Sequence, residues 1–114
     1  MKNTSRHDQL PKAYAQLQKQ LGQLRWMATG SLLERNKPGQ GGPRYQWSRR
    51  VRGKTVTVAL SQAQFQWLQH AIANMRRAWE LLAQMEKLTL QHMWANIPGP
   101  PRRKSLSKIT LGLN

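Results

Sequence analysis

RYQWSRRVRGKTVTVAL, residues 44–60, decides the fold. Tyr, Trp, Val and Thr suit a pleated, half-buried surface, and they fill both arms of this segment. Arg52-Gly53 lies between the arms and makes a two-residue turn. Counting outward from that turn gives the cross-strand pairs. Val51 faces Lys54, Arg49 faces Val56, Trp47 faces Val58 and Tyr45 faces Leu60. On the other face Arg50 meets Thr55, Ser48 meets Thr57 and Gln46 meets Ala59. The first face is mostly apolar, so Tyr45, Trp47, Val56, Val58 and Leu60 are expected to pack on helices. The second holds small or polar residues, with Arg44 and Arg50 near its ends. That face and the tip, residues 49–54, are left to meet something anionic.

Helical patterns flank the hairpin. Upstream, Leu10, Tyr14, Leu17, Leu21, Leu24 and Ala28 recur at intervals of 4, 3, 4, 3 and 4, one stripe of a helix. Asp8 is placed to cap it, Pro11 suits its first turn and Gly30 ends it. Residues 31–36, SLLERN, are too short to classify alone. KPGQGGP, residues 37–43, reads as a flexible basic flap flanked by Lys37 and Arg44.

Downstream, Ser61-Gln62-Ala63-Gln64 is a capping box that opens a long helix. One stripe runs through Phe65, Leu68, Ile72, Met75, Trp79 and Leu82, and a second through Ala78, Leu81, Met85, Leu88 and His92. Asn96 and Pro98 end the helix after about 34 residues, roughly 50 Å at 1.5 Å per residue. The first helix reaches only about 30 Å by the same measure. The longer one therefore has apolar surface to spare around Trp79, Leu82 and Met85. A second copy of the chain, or a larger protein partner, is expected to cover it along the 65–92 helix. Trp47 and Trp79 are expected in the core, whereas Trp26, Trp67 and Trp94 fall off the stripes. Residues 97–114 form a basic, proline-containing tail carrying Arg102, Arg103, Lys104 and Lys108. The fold class is α+β: an N-terminal helix, a small antiparallel hairpin or sheet, a long C-terminal helix and the tail. Residues 1–96 are read as a single α-β-β-α domain.

The charge balance points to the partner. The 114 residues contain 19 Lys and Arg against 4 Asp and Glu, a formal net charge of +15. Small domains stay soluble with roughly 2–8 net charges. A larger excess repels itself and favours a polyanionic partner. There is no cysteine, which excludes disulfides and thiolate zinc sites. The histidines, at 7, 70 and 92, lack ligand spacing. No metal or other cofactor is expected. Only Asp8, Glu34, Glu80 and Glu86 are acidic, too scattered for the carboxylate cluster of a metal-dependent nuclease. The chain is therefore read as a binding protein with no catalytic residues. With no signal peptide and no apolar run of 18 residues, a cytoplasmic or nucleoid-associated protein without membrane contact is expected.

Three short segments carry a resemblance. They are Gly30-Ser31-Leu32-Leu33-Glu34-Arg35, Gly42-Pro43-Arg44-Tyr45 and Gly53-Lys54-Thr55-Val56-Thr57. Their order, followed by a long helix, resembles a family of small uncharacterised prokaryotic domains found near transposases and other mobile-element genes. That family has cysteines in its glycine-rich loop, which suggest a metal knuckle. This chain has KPGQGGP there, so the knuckle does not carry over. The resemblance implies an α-β-β-α order with room for a third strand at 31–35, and a mobile-element setting. It implies no activity.

The expected function is nucleic-acid binding, to DNA or structured RNA, without chemistry. Arg44, Arg49, Arg50, Arg52 and Lys54 would contact phosphates from the hairpin, with Arg35 and Lys37 beside them. Arg102, Arg103, Lys104 and Lys108 would clamp a neighbouring backbone. The alternative is a protein-interaction module that docks by its long helix on a transposase, nuclease or other effector.

Overall fold

Arg52 and Gly53 take φ values of 50° and 79°, positive at both central positions, as a type I′ hairpin turn requires. This turn matches the right-handed twist of the strands it joins. In the computed structural model, which describes residues 9–35, 42–101 and 112, the elements run in the following order. They are α1 (Lys12–Gln23), β1 (Ser31–Glu34), β2 (Tyr45–Val51), β3 (Lys54–Leu60) and α2 (Gln62–Asn96). The fold is α+β, with one three-stranded antiparallel sheet in the order β1-β2-β3. The β2–β3 register has Val51 opposite Lys54 and Tyr45 opposite Leu60, as turn counting predicts. The SLLE segment, unclassified from its residues, is β1. It adds Ser31 opposite Ser48, Leu32 opposite Trp47 and Glu34 opposite Tyr45.

The chain divides into two compact units. One holds α1 with α2 from Trp79 onward, and the other runs Leu24–Ala78. In the second unit, the sheet meets the start of α2 through Tyr45 and Phe65, whose rings lie 4.8 Å apart at 42°. Phe65, Ala71, Ile72 and Ala78 are buried along the helix. The capping box is formed. Gln64 N–H donates to Ser61 Oγ at 3.1 Å, and Ser61 N–H donates to Gln64 Oε1 at 3.0 Å. In the other unit, Leu17 of α1 and Leu81 and Met85 of α2 are buried. At the far end of α2, Asn96 Nδ2 donates to the His92 carbonyl, and Pro98, which has no N–H, follows.

Four expectations need correction. First, α1 ends at Gln23, well before Gly30, and Leu10 lies outside it, exposed. Gly22 weakens its last turn, by about 1 kcal/mol relative to Ala. Residues 24–29 instead form a strap held by α2: Ala28 N–H donates to the Ala71 carbonyl, and Asn74 Nδ2 donates to the Trp26 carbonyl. These tertiary bonds win over the helical period. Second, Trp79 is not in the core; it is 56% exposed, and Leu82 is exposed beside it. The stripe from Phe65 repeats every 3.5 residues, and on a straight helix such a stripe drifts by about 20° per heptad. By Trp79 the buried face has passed to Ala78, Leu81 and Met85. Third, Met85 is therefore covered by its own chain and does not belong to the spare surface. Fourth, Val56 and Val58 are 40% and 42% exposed, so that sheet face is left open along β3 while Tyr45, Trp47 and Leu60 are half-buried. Asp8, Lys37 and the tail cations Arg102, Arg103, Lys104 and Lys108 lie outside the described residues.

Candidate nucleic-acid interface

Strand alternation sorts the basic residues onto two faces and a tip. Arg50 shares a face with Ser48, Thr55 and Thr57, and the register with β1 adds Ser31 to it. Arg44, expected on that face, instead turns its guanidinium toward Tyr45 and Glu34, which pair on the other. Arg35 extends that pairing by one residue, its N–H donating to the Arg44 carbonyl at 2.8 Å. Arg49 and Lys54 lie on the opposite face with Trp47, Val56 and Val58. Arg52 stands at the turn, exposed. The sheet thus leaves Arg50 with the hydroxyls, sets Arg44 beside Glu34 and Tyr45 at the far end, and divides the remaining hairpin cations between the tip and the other side.

The hydroxyl-bearing face is uncovered along β3, where every residue from Lys54 to Ala59 is exposed. Ser48 Oγ and Thr57 Oγ1 lie 2.9 Å apart, one donating to the other. A groove of about 410 Å³ crosses this region, lined by Thr29, Ser31, Ser48, Arg50 and Thr55 among others. Hydroxyls can donate to or accept from phosphate and sugar oxygens, and guanidinium adds charge and paired donors.

Several of the arginines are pre-positioned. The Arg44 guanidinium lies 5.3 Å from the Tyr45 ring centroid and 3.5 Å from Glu34 Oε1. Such an exposed ion pair contributes little, about 0–1 kcal/mol, and yields readily to a phosphate. Arg49 lies over Trp47 at 5.5 Å. Arg50 Nη2 donates to the Gly53 carbonyl at 2.9 Å, so this side chain braces the turn. Arg52 has the φ of 50° noted above, a conformation that disfavours side chains other than Asn, Asp and Gly.

Thr29 and Ser31 were missed by sequence reasoning. Their signal was the pairing of β1, which sets Ser31 opposite Ser48; four residues alone give too weak a period to show it. No helix among the described residues is long and apolar enough to cross a membrane. No group of three or more His, Asp or Glu converges among them. Comparisons with protein-family models, with curated proteins and with solved structures returned no match.

Proposed function

We propose that this chain is a non-enzymatic nucleic-acid-binding protein that holds DNA or structured RNA on its sheet. Arg50, with the hydroxyls of Ser31, Ser48, Thr55 and Thr57, meets the sugar-phosphate backbone on the open face, and Arg44 meets it at the end of the sheet beside Glu34. Arg52 and Lys54 meet it at the tip. The observation that carries this reading is the uncovered sheet. It concentrates cations and hydroxyls on exposed strands, and the acid beside them, Glu34, meets Arg44 only in an exposed pair at 3.5 Å. The net charge of +15 supports the same class of partner. Contacts of this kind position a duplex or a folded RNA without reading its sequence. A hairpin also fits a DNA major groove, where Arg52 at the tip would reach base edges. An accessory role in a mobile-element nucleoprotein complex fits the family resemblance.

The test is binding by protein stripped of nucleic acid in high salt and returned to low salt. Fluorescence anisotropy with labelled duplex DNA and a labelled RNA hairpin is expected to show binding to at least one, weakening as salt rises. No binding to either at low salt contradicts the proposal.

A second reading, docking through α2, is favoured by Trp79 and Leu82. They are exposed three residues apart on one side of the helix. The fitting partner is a second copy of the chain, in which the two residues meet their counterparts across a two-fold axis. Light scattering at high salt is expected to give a dimer on this reading, converted to monomer by Trp79→Ser with Leu82→Ser. A monodisperse wild-type monomer contradicts it.

A further inference from the structure

Trp26 is 67% exposed, yet its backbone is held at its carbonyl and just beyond it. Asn74 Nδ2 donates to its carbonyl at 2.9 Å, and two residues on, Ala28 N–H donates to the Ala71 carbonyl at 3.1 Å. Trp47 Nε1 then donates to the Thr29 carbonyl at 2.9 Å. An indole left in water forgoes the burial of a large apolar surface. A strap bonded this way anchors the backbone that carries the indole while leaving the ring uncovered.

Beside it stands Trp67 of α2, itself 54% exposed. The two ring centroids are 6.3 Å apart with planes at 43°. That is less than the roughly 7 Å needed to seat a flat ring between them at about 3.5 Å per contact. A ligand ring therefore rests on an outer face, and Trp26, the more exposed, offers the larger one. The surrounding groove, about 280 Å³, is also lined by Arg25, His70 and Asn74. Arg77 follows Trp67, His70 and Asn74 at helical spacing on the same side of α2. A flat apolar surface bordered by cations and amides suits a group that is aromatic on its face and anionic at its edge.

We infer that Trp26, backed by Trp67, stacks an unpaired nucleobase, and that Arg25 contacts the adjoining phosphate. This inference rests on the nucleic-acid reading above and extends it to single-stranded segments, such as a loop or a duplex end. Stacking is sequence-tolerant, because every base has a π face.

The experiment compares the full-length wild type with Trp26→Ala and Trp26→Tyr. The probes are labelled oligouridylate, duplex DNA of equal length, and heparin. Circular dichroism checks that each variant is folded. Trp26→Ala is expected to weaken oligouridylate binding by about 5- to 100-fold, from ~1–3 kcal/mol per stacked base at ~1.4 kcal/mol per ten-fold. Duplex and heparin binding should stay within about two-fold, and Trp26→Tyr should recover most of the loss. Equal losses on all three probes, or no loss on oligouridylate, overturn the platform while leaving the sheet interface standing. Wild type that binds none of the three overturns both. Binding of a polyproline peptide at this groove with oligouridylate binding unaffected by Trp26→Ala assigns it to proteins and overturns the inference.

Discussion

Trp47 Nε1 donates to the Thr29 carbonyl at 2.9 Å, and the indole lies against Gly30 as it does so. Gly30 has a φ of 117°, and a Cβ there would overlap Trp47 Nε1 and come 2.9 Å from the Ser48 carbonyl oxygen. The strap, β1 and β2 are thus locked at one point that only glycine fits. Gly30→Ala is expected to cost about 1–3 kcal/mol from the backbone conformation alone, with the overlap adding to it. Trp47→Phe keeps most of the apolar area but removes the donor, and should cost about 1 kcal/mol. Urea denaturation of both variants checks the ranking; equal stability of Gly30→Ala and wild type would refute the lock.

Ser61 is the single residue between β3 and α2, and it closes the capping box with Gln64. Ser61→Ala removes the acceptor for Gln64 N–H and is expected to lower stability by about 1 kcal/mol. Ser61→Asp, which keeps an acceptor, should retain most of it. Thermal melts of the pair distinguish capping from a general effect of the position.

Arg52 opposes its own backbone, since a type I′ turn prefers Asn followed by Gly. Arg52→Asn is therefore expected to raise stability by up to about 1 kcal/mol. If the residue is retained for its charge, the same variant should bind nucleic acid more weakly. Denaturation and anisotropy on one preparation read both effects. A more stable variant with unchanged affinity would remove Arg52 from the interface.

The hairpin was legible in the sequence because its turn leaves a single register and strand pairing is then arithmetic. The capping box and the end of α2 at Asn96 were legible because their signals are local. The strap was not. Leu24 and Ala28 continue the helical period of α1, and only the bonds to Ala71 and from Asn74, far away in the chain, show what holds the segment out of the helix. Trp79 was misjudged for a related reason. A 3.5-residue stripe looks continuous on paper but rotates off the buried face of a straight helix. Val56 and Val58 alternate like core residues, but nothing in the alternation says how far a helix covers the sheet. Of the site, Arg50 and the hydroxyls on its face followed from the register, whereas Arg44 turns at the strand end toward Tyr45 and Glu34. Ser31 and Thr29 waited on β1, and the paired Trp26 and Trp67 on the strap.

The measurement that bears most directly on the sheet interface is the salt dependence of binding by wild type and by Arg52→Asn with Lys54→Gln. Arg50 is left in place because it braces the turn at Gly53. Each phosphate neutralised releases condensed counterions, giving a slope of log affinity against log salt of about −0.9 per contact on duplex DNA and about −0.7 on single strands. If Arg52 and Lys54 contact phosphates, the double variant should bind more weakly, with a slope shallower by about one to two units on duplex DNA. An unchanged slope on both duplex DNA and structured RNA would mean that the hairpin tip does not touch the backbone, and would contradict the interface proposed for it.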